Sequence, residues 1–450
     1  MKEEKITARI VDLTDKGNCV AKADACVYFL KSGVVGDLVR LKPTVQKKNC
    51  CDAEVLEILE PSPHRVQNDC QYSERCGGCT LREYNYDAQI KLKARVVCEK
   101  IKRLAGIQNF QLDKIIPARE PNYYRNNVQL KCSWENGSLR IGFYERFSHR
   151  IVAMEQCLLL PPIMNRALKR IKLFLEELYR TQDIRKIFAL ETLQEIILRT
   201  EESEQKLMLI LVKQKFSQNI SEYKKTLADF AHSTHIVSLY EQDKSGALQL
   251  LYGTQTLSVQ ILSKQFQLSP QSFFQVNIRQ AALLFTEVLN ELDAKPTDIV
   301  LDLFCGVGSI SLIVAEQVQQ LIGVECVSSA VQNAQDNATR NHIHNAKFIL
   351  GTVENILNPH FLPEANFGTG KINKIIVDPP RAGIDPQALV CIAKIAPEKI
   401  IYVSCNSATL ARDLKILCEY NFTLSRTAVV DMFPYTAHVE SVVTLTRASM

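Results

Sequence analysis

The chain has 450 residues, 46% hydrophobic and 23% charged, with a net charge of +5 and 15 cysteines. At about 100–200 residues per domain this length calls for roughly three folded units, and the composition excludes a disordered or fibrous chain. No apolar stretch is long enough to span a bilayer and the opening MKEEKITARI has no apolar leader core, so a cytoplasmic protein without membrane association is expected, and a disulfide framework is not.

Positive charge is concentrated rather than spread. Residues 81–150 carry 14 Lys+Arg against 7 Asp+Glu, an excess that suits a polyanion, although a solvated helix face produces the same pattern.

In chain order, residues 5–60 alternate short apolar runs with turn markers at Asp15-Lys16-Gly17, Lys31-Ser32-Gly33 and Val35-Gly36-Asp37, the pattern of a small β-barrel. Pro61-Ser62-Pro63 places a boundary near residue 62. A cysteine-rich stretch, 70–79, follows. Ile90, Val97, Ile101 and Leu104 predict a helix over 86–105. Val128, Leu130, Cys132 and Trp134 alternate as in a strand, within a strand-like region 122–160. Residues 163–179 predict a helix, and 185–270 mix both periods.

From about residue 280 the pattern is regular. A helix over 278–292 precedes strand-like runs at 299–304, 321–324, 348–350, 375–377 and 400–403, several separated by helical stretches. That series predicts a parallel sheet covered by helices on both faces. The expected division is a barrel at 1–62, a central α+β unit at 63–270 and an α/β unit at 271–450.

Within the α/β unit, the run ending Phe304-Cys305-Gly306-Val307-Gly308-Ser309 is a strand entering a glycine turn. Glycines there let backbone approach a ligand, but two glycines alone do not make a dinucleotide site. The next strand ends at Glu325, where a carboxylate suits ribose hydroxyls. Another ends in Asp378-Pro379-Pro380-Arg381, an acid on a rigid turn at the same edge. The order resembles S-adenosylmethionine methyltransferases.

Cys405 follows the apolar strand Ile400-Ile401-Tyr402-Val403 and so stands at the edge of that crevice, where a local field would activate it. For Cys305, Cys326, Cys391 and Cys418 the default is a buried core thiol. A thiol has a use there. Carbon 5 of uracil is too weak a nucleophile to attack a methyl sulfonium, and thiolate addition to carbon 6 gives carbon 5 that character. A base must then remove the carbon-5 proton from a base held out of its stack. Glu440 and His438, both in Pro434-Tyr435-Thr436-Ala437-His438-Val439-Glu440, are the candidates.

Ser272-Phe273-Phe274-Gln275-Val276-Asn277, the turn at 302–308, Asp378-Pro379-Pro380-Arg381, Ser404-Cys405-Asn406 and His438-Val439-Glu440 occur in that order. The ordered set, over nearly the whole chain, resembles the RNA uracil-C5 methyltransferase family. The resemblance implies a Rossmann-like fold, S-adenosylmethionine contacts at Gln275, Phe304, Glu325 and Asp378, Cys405 as nucleophile and Glu440 as base. Ser309 stands where many relatives have Asn, and contact there is not assigned.

Cys70, Cys76 and Cys79 have C-x5-C-x2-C spacing with Gly77-Gly78 inside it, and Cys157 is the chosen fourth ligand. The chemistry alone allows a zinc tetrathiolate or an iron–sulfur cluster; the family resemblance implies a [4Fe-4S] cluster. A radical S-adenosylmethionine enzyme would use C-x3-C-x2-C. Residues 5–60 resemble the TRAM domain, an OB-like barrel, and barrel plus cluster together imply 23S rRNA as the RNA partner of a monomeric enzyme. Arg125 is a candidate RNA contact. The same chemistry on tRNA, or a non-catalytic iron–sulfur RNA-binding protein, are the alternatives.

Overall fold

The computed structural model describes residues 6–447 apart from 15–16, 24–25, 49, 202–204, 219 and 358–370. The turn expected at Asp15-Lys16 therefore lies outside the described residues.

Five strands, β1 (Ile6–Leu13), β2 (Cys19–Ala23), β3 (Cys26–Leu30), β4 (Leu38–Gln46) and β5 (Cys50–Glu60), close into a barrel in the order β1-β2-β3-β5-β4. Alternate residues point inward, among them Ile10, Ala21, Leu30, Val39, Leu41 and Cys51, as the twofold period of a strand requires. The buried Asp37 carboxylate accepts the N–H groups of Val34 and Ser62 and pairs with Arg65 at 2.6 Å, which fastens the barrel to the segment that leaves it.

Next come α1 (Tyr86–Lys100) and β6 (Lys114–Ile116). The helix expected to reach residue 105 ends its α-helical part at Lys100, continues as a π-helical turn over Ile101–Ala105, and stops at Gly106 in the left-handed region. Glycine suits that stop because it has no Cβ to clash.

The central unit is a seven-stranded sheet with the order β13-β12-β11-β10-β7-β8-β9, built from β7 (Asn127–Glu135), β8 (Ser138–Tyr144), β9 (Ile151–Ala153), β10 (Leu193–Glu201), β11 (Lys206–Lys213), β12 (Ile236–Gln242) and β13 (Leu248–Gly253). Helices α2 (Pro162–Arg180), α3 (Gln182–Ile187) and α4 (Lys224–Ser233) accompany it. In α2, Met164, Leu168, Ile171, Leu175 and Leu178 recur every three or four residues and form the buried stripe that meets the sheet. A hairpin, β14 (Leu257–Ile261) with β15 (Lys264–Leu268), leads out of this unit.

The last unit contains β16 (Ile299–Leu303), β17 (Gln320–Glu325), β18 (Ala346–Leu350), β19 (Lys374–Val377), β20 (Lys399–Ser404), β21 (Phe422–Val430) and β22 (Glu440–Arg447). The sheet order is β18-β17-β16-β19-β20-β22-β21-β6. The first five strands are parallel and β22 runs antiparallel to both neighbours. Helices α5 (Ile278–Leu292), α6 (Ser311–Ala315) and α7 (Ser328–Arg340) cover one face, and α1, α8 (Val353–Ile356), α9 (Pro386–Ile395) and α10 (Ser407–Glu419) the other. Strand residues divide between the two cores in alternation, Ile400 and Tyr402 to one and Ile401 and Val403 to the other. The chain winds one way from β16 to β17 and the other way to β19, which places a topological switch point between β16 and β19. The protein is thus an α/β methyltransferase-type fold with an N-terminal five-stranded barrel and a central insertion.

The expected boundary at 270 does not describe the sheet. β6 forms its far edge beside β21, and Ile90, Ala94 and Val97 of α1 pack against α10. The hairpin residues Leu257, Val259 and Phe266 join the opposite core. Proline and glycine punctuation marks where a chain turns, not which sheet the next segment enters.

Candidate active site

β16 is buried along its whole length and delivers Phe304 to the sheet edge at φ 66°. Gly306 and Gly308 also adopt left-handed φ, and a Cβ at Gly308 would press on Phe348 at 3.3 Å and Ala334 at 3.4 Å. The turn therefore lies low over the neighbouring strand and helix. Its Gly306 N–H donates to Glu325 Oε2 at 3.1 Å, while Glu325 Oε1 accepts from Val327 N–H at 2.8 Å. Glu325 thus stands at the carboxyl end of β17 with its carboxylate drawn to the glycine turn. Asp378 is half-buried after β19, its N–H directed at Leu303 O, and burial pushes its carboxyl up to about 7. Asp302 below the turn is raised to about 7 by burial, against its hydrogen bond with Ser311.

Gln275 reaches the same edge from another direction. Asn277 caps α5 and donates to Met432 O at 3.2 Å, and the far end of α5 meets the start of β20 through Lys399 Nζ and Glu291 O. The first turn of α5 consequently lies towards the carboxyl end of β20. Asn126 holds the Gln275 carbonyl at 3.0 Å. The four residues expected to contact S-adenosylmethionine therefore converge on one sheet edge.

Cys405 follows β20, whose last pair with β22 is Ser404 with Ser441. Cys405 and Glu440 each lie one residue beyond that pair, and Cys405 feels the charge of Glu440. Asn406 caps α10 through Ala408 N–H and donates to Arg381 O at 2.9 Å, joining the thiol's loop to the Asp-Pro-Pro-Arg turn. Cys405 borders a cleft shared with Leu13 and Thr14 of the barrel, Leu92 and Val96 of α1, Arg381 and His438.

The field at the thiol differs from the expectation of a locally activated nucleophile. Burial pushes Cys405 up to about 11, Glu440 and Asp378 add to this, and Arg381 opposes it. Glu440 is only 5% exposed, and burial, then Asp378, raises its carboxyl well above the usual range while Arg381 lowers it. Burial thus disfavours the charged form of both groups. His438 instead lines the cleft, its Nε2 3.4 Å from Arg381 Nη2. Cys326, expected to be buried, is exposed with its Sγ 3.4 Å from Glu325 Oε1, because it sits one residue beyond the strand end.

Cys70, Cys76, Cys79 and Cys157 line one cavity with Tyr72, Phe143 and Met154. Gly78 N–H points at Cys76 Sγ at 3.4 Å. Burial raises the Cys76 and Cys157 thiols and pushes Cys79 up to about 12. Among the described residues no three Cys, His, Asp or Glu side chains converge closely enough to hold a single metal ion. Arg125, a candidate RNA contact, is half-buried and gives its Nε to Asn127 O.

Other contributors were not legible in the sequence. Lys93 of α1 and Asp431 form a buried ion pair at 2.7 Å, and Tyr86 donates to the second Asp431 oxygen at 2.9 Å. They anchor the loop that carries His438. Their helical and loop positions offered no sign of pairing.

A family model described as tRNA (Uracil-5-)-methyltransferase matches residues 85–448. An RNA methyltransferase of Halalkalibacterium halodurans, described as uncharacterized, is 32% identical over 99% of this chain and 97% of its own. Another, from Clostridium tetani, is 31% identical over 97% of this chain and 95% of its own. The crystal structure of Pyrococcus abyssi tRNA (uracil-54, C5)-methyltransferase with S-adenosyl-L-homocysteine has a TM-score of 0.74 and 25% identity, covering 98% of this chain and 99% of that one. Among the described residues no helix is long and apolar enough to cross a membrane. From the switch-point edge to the whole-length relatives, these findings agree that the chain belongs to the tRNA (uracil-5-)-methyltransferase family of RNA uracil-C5 methyltransferases, which take their methyl group from S-adenosylmethionine.

Proposed function

We propose that Cys405 attacks carbon 6 of a uridine in 23S rRNA and that Glu440 removes the proton from carbon 5. The observation that supports this most is that Cys405 borders the cleft at the end of β20 while Glu440, at the start of the neighbouring β22, lies close enough for its charge to act on the thiol. The Cys405 thiol first loses its proton to solvent. Its sulfur then bonds to carbon 6, and the carbon 5–carbon 6 π electrons pass into an enolate ending on the carbon-4 oxygen. S-adenosylmethionine supplies the methyl group that carbon 5 takes, leaving as neutral S-adenosylhomocysteine. Glu440 as carboxylate accepts the carbon-5 proton, the double bond re-forms and the sulfur departs. A raised carboxyl suits this step, because a buried carboxylate that holds a proton more tightly is a stronger base than an exposed one. Gln275, Phe304, Glu325 and Asp378 hold the methyl donor.

The four-cysteine cavity suits a [4Fe-4S] cluster. Its four cysteines line one cavity and lie close enough for their charges to act on one another, as ligands of a shared cluster must. Cys70, Cys76, Cys79 and Cys157 would ligate it as thiolates.

For the RNA target, the barrel, the basic region at 81–150 and the cysteine site favour 23S rRNA. A tRNA target is the second reading, favoured by the Pyrococcus enzyme, whose named substrate is tRNA and whose match covers nearly the whole chain, barrel region included. Comparing uridine methylation in rRNA and tRNA of a deletion strain separates the two; unchanged rRNA excludes the ribosomal reading. For the chemistry, 5-fluorouridine RNA with S-adenosylmethionine should trap a covalent complex. A complex that persists in Cys405→Ala would identify another nucleophile.

A further inference from the structure

The loop between β21 and β22 carries His438 and ends at Glu440, yet part of its support comes from the cysteine segment more than 300 residues earlier. Tyr435 lies in the left-handed region at φ 64°, which a non-glycine residue adopts only when its surroundings impose it. The surroundings are specific. Thr80 and Leu81 both donate their N–H groups to Tyr435 O at 3.0 Å. Gln89 Oε1 accepts from Tyr435 N–H at 2.7 Å. The Arg82 guanidinium stacks 3.9 Å from the centroid of the Tyr435 ring.

Thr80 directly follows Cys79, and Arg82 lines the four-cysteine cavity. Arg82 is 3% exposed and is fixed by Asp69, which takes Nε at 2.6 Å and Nη2 at 2.8 Å. Its Nη1 is buried and has no hydrogen-bond partner among the described residues. A buried guanidinium N–H needs an acceptor. One at the margin of a cavity lined by four thiols suits the sulfur of a bound anionic cluster.

We propose that Tyr435 is a positioning residue, a latch through which residues 79–82, closed around the cluster, set His438 and Glu440 against Cys405. The proposal rests on reading the four cysteines as a cluster site. Two other ties to this loop, Lys93 with Asp431 and the Tyr124 hydroxyl to Pro434 O at 3.2 Å, do not involve the cysteine segment. Releasing the latch therefore loosens the loop without unfolding the unit. The cleft at Cys405 takes Leu81 and residues 437–439 from the latch and its loop but most of its lining from the barrel, α1 and the Arg381 and Cys405 turns, so the latch acts on turnover more than on RNA binding.

The test compares the anaerobically purified full chain with Tyr435→Phe, Tyr435→Ala and Arg82→Gln. Iron and sulfide content, backbone hydrogen exchange over residues 431–439, and kcat and KM with uridine-containing RNA are measured on each. Tyr435→Phe keeps the ring and should behave as the parent. Tyr435→Ala and Arg82→Gln should exchange faster in the loop and lose about thirtyfold in kcat, the scale of one desolvated cation–π contact, with KM for RNA unchanged. Stripping the cluster from the unmutated protein with ferricyanide and chelator should reproduce the faster exchange. Unchanged exchange and kcat in iron-replete Tyr435→Ala and Arg82→Gln would overturn the latch. A parent protein with neither iron nor sulfide would overturn the cluster reading, while the two Tyr435 variants still report on the grip itself.

Discussion

Replacing Lys93 by Met removes the cation from an ion pair whose side chains are 2% and 0% exposed. Asp431 would then keep its charge with no counter-ion, and Phe433 O would lose the donor it has at 3.1 Å. Breaking a buried pair from one side costs about 3–5 kcal/mol, because the remaining charge cannot be solvated. The Tyr86 hydroxyl still donates to Asp431 at 2.9 Å, which places the loss near the lower end, about 3 kcal/mol. For a unit of this size each kcal/mol moves the midpoint by about 2–4 °C, so thermal unfolding of Lys93→Met should shift down by about 6–12 °C. Adding Asp431→Asn removes the stranded charge while keeping an acceptor for Tyr86, and the double variant should regain most of the loss. A single-variant shift under about 2 °C, or a double variant in which the two losses add, would refute the description of this pair as dry and coupled.

Glu440→Gln should permit methyl transfer but block release. Ordinary uridine RNA with S-adenosylmethionine should then give a stable covalent complex on denaturing gels, and turnover within about tenfold of the parent would exclude Glu440 as the base. Cys405 is held as a thiol up to about 11, so its alkylation in the free protein should rise about tenfold per pH unit from 7 to 10. Peptide mass spectrometry follows this, and a plateau near pH 8 would show an activated thiolate instead. Cys157→Ser should purify with markedly less iron; parent-level iron would remove Cys157 from the ligand set.

Local signals reached the catalytic edge because its parts are local. The 3.6-residue period delimited α5 at 278–292, and Gly306 and Gly308 marked a turn that only glycines tolerate. Cys405 and Asp378 were identifiable because each directly follows an apolar strand, and strand ends are where such sheets bind ligands. The choice between Glu440 and His438 was different. Both lie within three residues of each other, the family resemblance alone favoured Glu440, and the fold shows only that Glu440 is buried at the start of β22 while His438 lines the cleft.

What the sequence by itself determined was therefore the chemistry available: a thiol, carboxylates, a glycine turn and four further cysteines, each tied to a local element by period or spacing. The tertiary structure alone decided their company. It brought β6 and α1 into the last sheet, closed Lys93 onto Asp431, and set Thr80, Leu81 and Arg82 around Tyr435. It also turned the field at Cys405 against the thiolate, since burial and two carboxylates outweigh Arg381. Desolvation and pairing depend on groups distant along the chain, and neither leaves a trace in the spacing of residues around one position.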